Sequence, residues 1–248
     1  MTTTVNTLTG VRYHAADGIG RITLARPEAS NAVDLPTASS LGEAVRAAVA
    51  DPDVRVILID AEGPRFCAGG DVAAMAAADD KPAAVRELAT TFDAALRELD
   101  AAEKPVVAVV RGAVAGAGLG IILACDLVVA AQSTKLLTAY TSVGITPDCG
   151  VSWLLPRAVG QQRALELVLT GRPLSADDAQ AWGLVTTVVE DAALETAAEE
   201  VASRLAALSP FAAGQARRLI RSSWSATKAQ SSEDEIRTVT EAISRVFS

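Results

Sequence analysis

Apolar residues along this chain recur with two different periods, and the alternation between them is the first thing the sequence shows. Ile19 to Leu24 alternates apolar and polar side chains after Asp17-Gly18, a turn signal, so it pairs as a hairpin arm with Val11 to Ala15. Asp34-Leu35-Pro36 opens a helix that runs through Ala50 and stops at Asp51-Pro52. Val54 to Asp60 and Val106 to Val110 are short, nearly continuous apolar runs, the pattern of strands covered on both faces. Between them Val85, Leu88, Phe92, Leu96 and Leu99 recur at three- and four-residue spacing, which predicts a helix from Ala83 to Ala102 that Lys104-Pro105 ends. Gly116 to Ala124 reads as a helix start, and Leu127 to Ala130 and Leu184 to Val189 as later strands. Strands alternating with helices imply βαβ units and an α/β fold.

Ser175-Ala176-Asp177-Asp178 is a helix-capping start, with Gly183 after the last turn. Beyond Glu190 the pattern is helical only: Ala192 to Leu208, Pro210 to Ser222 and Glu233 to Phe247. The chain therefore divides into a core, residues 1–190, and a helical region, residues 191–248, expected to pack outside the α/β body or against another subunit.

Composition narrows the function classes. In 248 residues, 50% hydrophobic content supplies a sizeable core, and a net charge of −8 argues against a nucleic-acid surface. Cys67, Cys125 and Cys149 lack metal-ligand spacing and read as reduced, packed thiols of a cytoplasmic protein. The start of the chain has no basic and apolar leader pattern, and the longest stretch without a polar side chain, Ala113 to Cys125, is shorter than the roughly 18 residues of a membrane span. His14 is the only histidine and lies in a strand-like segment, which excludes multi-histidine metal sites and leaves a histidine-based triad without support.

Two segments carry the candidate chemistry. Phe66-Cys67-Ala68-Gly69-Gly70-Asp71 and Gly112 to Gly120 are built of small residues and each follows a buried strand, so each is a place where a ligand approaches bare backbone N–H groups. Two such amides converging would form an oxyanion hole, which points to acyl chemistry. A dinucleotide-binding reading fails on spacing: Gly116, Gly118 and Gly120 follow Gly-x-Gly-x-Gly, and no acidic residue lies about 20 positions on at a strand end.

Five segments in order resemble the crotonase (enoyl-CoA hydratase/isomerase) family: Arg26-Pro27-Glu28-Ala29-Ser30-Asn31-Ala32, the Phe66 to Asp71 loop, Gly112 to Asp126, Gly144-Ile145-Thr146-Pro147-Asp148, and Leu169 to Arg172 with Ala181 to Val185. The resemblance implies a spiral of βαβ units with a helical C-terminal trimerisation region, assembled as a homotrimer or a dimer of trimers. It also implies an acyl-CoA substrate, with coenzyme A as part of the substrate and no separate cofactor or metal. By position, the oxyanion-hole amides would be those of Ala68 and Ala117, and the CoA contacts Arg26, Ala29, Ala68, Gly69 and Asp71.

The resemblance places Gly120 and Tyr140 where hydratases of the family carry their two water-handling glutamates, so both carboxylates are missing. Asp148 falls where some isomerases carry an acid/base carboxylate, and Pro147 to Gly150 with Trp153 to Arg157 is closest to the enoyl-CoA isomerases and the phenylacetate-pathway branch. The implied activity is Δ3-Δ2 enoyl-CoA or related ring isomerisation, with Asp148 moving one proton. Asp148 needs an apolar, largely dry pocket for this, and Val143, Val151, Trp153 and Leu154 are the flanking candidates, with Tyr140 filling the volume of the absent glutamate. A hydratase using other groups, a hydrolase with an aspartate nucleophile and a non-catalytic acyl-CoA binder remain alternatives at this level.

Overall fold

A computed structural model describes residues 4–247. Ten strands and ten helices follow in the order β1 (Thr4–Leu8), β2 (Val11–Ala16), β3 (Ile19–Leu24), α1 (Leu35–Ala50), β4 (Val56–Ala61), α2 (Val72–Ala77), α3 (Lys81–Ala101), β5 (Val106–Val110), β6 (Ala113–Ala115), α4 (Ala117–Ala124), β7 (Leu127–Ala131), β8 (Lys135–Leu137), α5 (Val151–Val159), α6 (Gln161–Thr170), β9 (Leu174–Ser175), α7 (Ala176–Ala181), β10 (Thr187–Val189), α8 (Leu194–Ala206), α9 (Pro210–Ser222) and α10 (Lys228–Val246). Seven strands form the main sheet in the order β1-β2-β3-β4-β5-β7-β10, and β6-β8-β9 form a second, small sheet. The hairpin β2–β3 is antiparallel, and from β3 onwards each pair is parallel, with Ile22 opposite Ile59 and Ile59 opposite Ala108.

The nearly continuous apolar runs are explained by the two covered faces of this sheet. Side chains alternate across a strand, so Ile57, Ile59, Val106, Ala108 and Val110 join the larger core under α1, α3 and α4, while Val56, Leu58, Val107 and Val109 turn to the other face. There they meet Leu194, Ala198 and Ala202 of α8. The first of the C-terminal helices therefore belongs to the core of the α/β body, a correction to the expectation that the whole helical third would lie outside it. Its Ala-rich stripe is the reason: small side chains let a helix lie flat on a valine-covered sheet.

The strands β6, β8 and β9, the helices α5 and α6 and the edge strand β1 are absent from the pattern reading. Three- and two-residue strands are too short to carry a period. The last helix begins at Lys228 rather than Glu233, because Thr227 and Gln230 form a capping box.

α9 is fastened to the body by two arginines. The Arg217 guanidinium, almost fully buried, donates to the carbonyls of Leu99 at 2.9 Å and Asp100 at 2.6 Å, to the Ala102 carbonyl, and to the Asp126 carboxylate at 2.7 Å. These are the open carbonyls at the C-terminal end of α3, where a cation is favoured. Arg221 donates to the Ala124 and Cys125 carbonyls at 2.7 and 3.1 Å and to Asp126 at 2.8 Å. Arg217→Ala leaves the carbonyls of Leu99, Asp100 and Ala102 without their side-chain donor, while Asp126 keeps Arg221 and the Val106 amide, so the change should cost about 1–3 kcal/mol in chemical denaturation.

A second buried charge lies on the α8 side. Asp60 of β4 accepts a 2.7 Å bond from Arg21, which also pairs with Glu199 of α8. Burial holds the Asp60 carboxyl above its ordinary range despite Arg21. With the folded-state value raised, the favourable contribution exists at low pH and is lost as pH rises. Relative to wild type, Asp60→Asn should therefore gain stability as the pH goes from about 4 to about 7, measured as paired urea midpoints.

Candidate active site

The two small-residue loops are held against each other by main-chain hydrogen bonds on both sides. Cys67 donates to the Ala113 carbonyl at 3.1 Å and accepts from Ala115 at 2.9 Å, while Val33 donates to Gly69 at 2.8 Å and accepts from Asp71 at 2.8 Å. Glycines carry the approach: a Cβ on Gly118 would lie 2.8 Å from the Cys67 Cβ, and one on Gly116, which like Gly69 has positive φ, 3.3 Å from the Gly69 Cα. Only residues without side chains permit that approach.

Beside this contact is a cavity of about 200 Å³, lined by both loops, by Leu88 and Phe92 of α3, and by the 138–149 segment. Its floor carries main-chain donors. The Ala68 amide, expected as one of them, donates to the Ser30 carbonyl at 3.0 Å and is not free, a correction that follows from the 30–33 segment lying along the loop. Among the described residues, no hydrogen-bond acceptor is recorded for the amides of Gly70 and Ala117, and both residues line the cavity. Ala117 is the first residue of α4, where helix amides are uncompensated and the helix dipole favours negative charge.

The Arg26 to Ala32 segment serves as a brace. Arg26 pairs with Asp34 at 2.9 Å and Asp71 at 3.1 Å and donates to the Ala32 carbonyl at 2.8 Å. Asp71 also caps α2 through the Ala74 amide, which, with Arg26, lowers its carboxyl below the usual range. The charges of Arg26 and Asp71, expected on a CoA arm, are thus already paired with each other. Ala29 sits in a single helical turn outside the cavity lining, whereas Ala68 and Gly69 are part of it. Buried Asn31 donates to the Glu62 and Arg65 carbonyls at 2.9 Å and accepts from the Arg26 amide, a fastening role visible only once the loops are placed.

Asp148 lies at the cavity mouth on an exposed turn, not in a closed dry pocket. Apolar side chains do surround the mouth: Val143 and Ile145 line it and are largely exposed. Val151 and Trp153 do not. Val151 starts α5 and is fully buried in the core, and Trp153 stacks on Arg157, 3.3 Å from ring centroid to guanidinium, beside a different cavity. Tyr140 does line the site. Its ring is buried, yet its hydroxyl has no hydrogen-bond partner among the described residues. Burial and the neighbouring Asp148 charge hold that hydroxyl far above its ordinary pKa.

Gly120 has no room for a side chain, because a Cβ there would lie 2.7 Å from the Cβ of Cys149. Burial, with Asp148 next to it, pushes the Cys149 thiol well up. Met75, Leu88 and Phe92 also line the cavity, and only the apolar face of α3 pointed to the last two. His14 is half-buried in β2 opposite Arg21, outside the cavity lining.

The sequence matches the Enoyl-CoA hydratase/isomerase family over residues 14–246. The chain belongs to that family. It is 35% identical over 211 residues to the 1,2-epoxyphenylacetyl-CoA isomerase of Escherichia coli (strain K12), covering 84% of this chain and 80% of the relative. It is 38% identical over 200 residues to the trans-2-decenoyl-[acyl-carrier-protein] isomerase of Streptococcus mutans, covering 79% and 75%. Among solved structures, a putative enoyl-CoA hydratase/isomerase from Mycobacterium abscessus superposes with a TM-score of 0.89 at 37% identity, covering 94% of this chain and 90% of that one. Family relatives also bear the names hydratase and dehalogenase.

The crotonase fold, with its α/β body and C-terminal helices, is thereby established, and with it an enzyme of this superfamily. Ala117 offers a direct test of the donor arrangement, because proline is tolerated at the first helical position but lacks the N–H. Ala117→Pro should keep the helical circular dichroism signal and lower turnover of an acyl-CoA substrate by about 10²–10³-fold.

Proposed function

We propose that this protein is an acyl-CoA isomerase that moves a double bond from C3 to C2 through an enolate. The observation that carries the reading is one cavity lined by two uncommitted amides, Gly70 and Ala117, and one carboxylate, Asp148. The thioester oxygen would accept from the two amides as it gains negative charge. Asp148 takes the C2 proton, the electrons move onto that oxygen, and the carboxylic acid so formed returns the proton to C4. No water is consumed, so one group serves both transfers.

Hydration needs a second group to hold water, and the two places for it speak against that reading. Gly120 is packed on Cys149, and Tyr140 contributes a phenol rather than a carboxylate. The CoA portion would lie along Ala29, Ala68 and Gly69, with Arg26 and Asp71 holding that segment in shape.

The same proposal includes a homotrimer or a dimer of trimers. Ile236, Val239, Ile243 and Val246 form an apolar stripe along α10 with each side chain more than half exposed, an area that a partner subunit would cover. No helix among the described residues is long and apolar enough to cross a membrane, and the three free cysteines support a reducing, cytoplasmic setting.

Asp148→Asn keeps the shape and removes the base. It should leave acyl-CoA binding within a few-fold and lower isomerisation of a 3-enoyl-CoA by roughly 10²–10⁴-fold. Crotonyl-CoA hydration measured on the same preparation should be negligible; hydration outrunning isomerisation would favour the hydratase alternative.

A further inference from the structure

A second cavity of about 360 Å³ adjoins the acyl cavity at Cys149, the one residue common to both linings. The second cavity is faced by Leu96, Ala124, Trp153, Leu154 and Trp224. The charged groups along it already have partners: Arg97 pairs with Asp93 at 2.7 Å, and Arg221 pairs with Asp100 and with Asp126. What remains between them is hydrocarbon and aromatic surface, with both tryptophans about half exposed.

The shared residue sits in an unusual local setting. Cys149 holds φ of +53°, a conformation that residues with a Cβ seldom adopt, and its side chain is seated against Gly120. A Cβ on Gly120 would meet Cys149 Cβ at 2.7 Å and Leu96 Cδ1 at 3.4 Å. Cys149 thus lines both cavities, Leu96 lines the second, and both pack on the bare backbone of Gly120.

We infer that Cys149 is the end stop of the acyl pocket: it confines wild-type substrates to short or compact acyl groups and closes off a space fitted to a hydrocarbon tail. The inference rests on the acyl-CoA reading above and deepens it by setting the length of the acyl group. The occupant of the second cavity, once the stop is removed, is the distal part of a straight acyl chain, since that cavity adjoins at Cys149 the one that would hold its first carbons and its lining charges are paired.

The test uses saturated acyl-CoAs, which bind without reacting. Calorimetric titration with butanoyl-, octanoyl- and dodecanoyl-CoA compares wild type with Cys149→Gly, a change that also suits the backbone conformation at that position. Wild-type affinity should stop rising once the first cavity is filled. In Cys149→Gly it should continue to rise, by up to about fourfold per added methylene, the equivalent of burying one CH₂. Leu96→Ala trims the packing on Gly120 from α3 and should give a smaller shift in the same direction, which keeps the inference testable if the glycine variant fails to fold. An identical length profile in wild type and variants, with binding intact, overturns the end stop alone. Absence of acyl-CoA binding by wild type at every length overturns the acyl-CoA reading itself.

Discussion

The constraint on which the rest depends is the backbone lacing between the Phe66 to Asp71 loop and its two neighbours. Residue 67 is tied to β6 on one side, and residues 68, 69 and 71 to the 30–33 segment on the other. A loop fastened this way has few amides left over, and those that remain are fixed in direction before any ligand arrives. Preorganised donors of this kind stabilise developing charge without reorganising during the reaction. The glycine-to-glycine contact at Gly69 and Gly116 brings the second loop close enough to share the cavity, and the first turn of α4 then adds its uncompensated N–H and dipole.

The packing of the sheet serves that arrangement. β4 and β5 are covered on both faces, by α1, α3 and α4 on one and by α8 on the other, so the strand ends from which both loops emerge are immobilised in the core. Arg26, between Asp34 and Asp71, and Asn31, on the carbonyls of Glu62 and Arg65, hold the outer side of the loop. These polar residues do for the loop what apolar packing does for the strands.

Much of this was legible in the sequence. The hairpin, the buried strands and the α3 face follow from period alone, and the small-residue loops announce themselves because so few residues fit where backbone meets backbone. Other features were not legible, for particular reasons. Ala68 and Gly70 are two apart, a spacing that keeps the same side in an extended segment, but Gly69 has φ of +107° and turns the chain between them. Which amide is consumed depends on Ser30, a partner brought in from 38 positions away, and no local pattern reports that. Likewise Val151 and Trp153 stand beside Asp148 in sequence, yet α5 starts at Val151 and carries one inward and the other onto Arg157. Tyr140 is legible as a residue in the place of a glutamate, but its unpartnered hydroxyl is a property of its burial.

The arginine clasp of α9 has a mechanical consequence. α3 contributes Leu88 and Phe92 to the acyl cavity, and its C-terminal carbonyls are gripped by Arg217. α9 in turn is tied to α10, where Arg218 forks onto Asp234 at 2.6 and 3.0 Å. The helix that carries the outer apolar stripe is thus joined, through Arg218 and then Arg217, to the helix that lines the chamber, so the two are fastened in series rather than through the sheet.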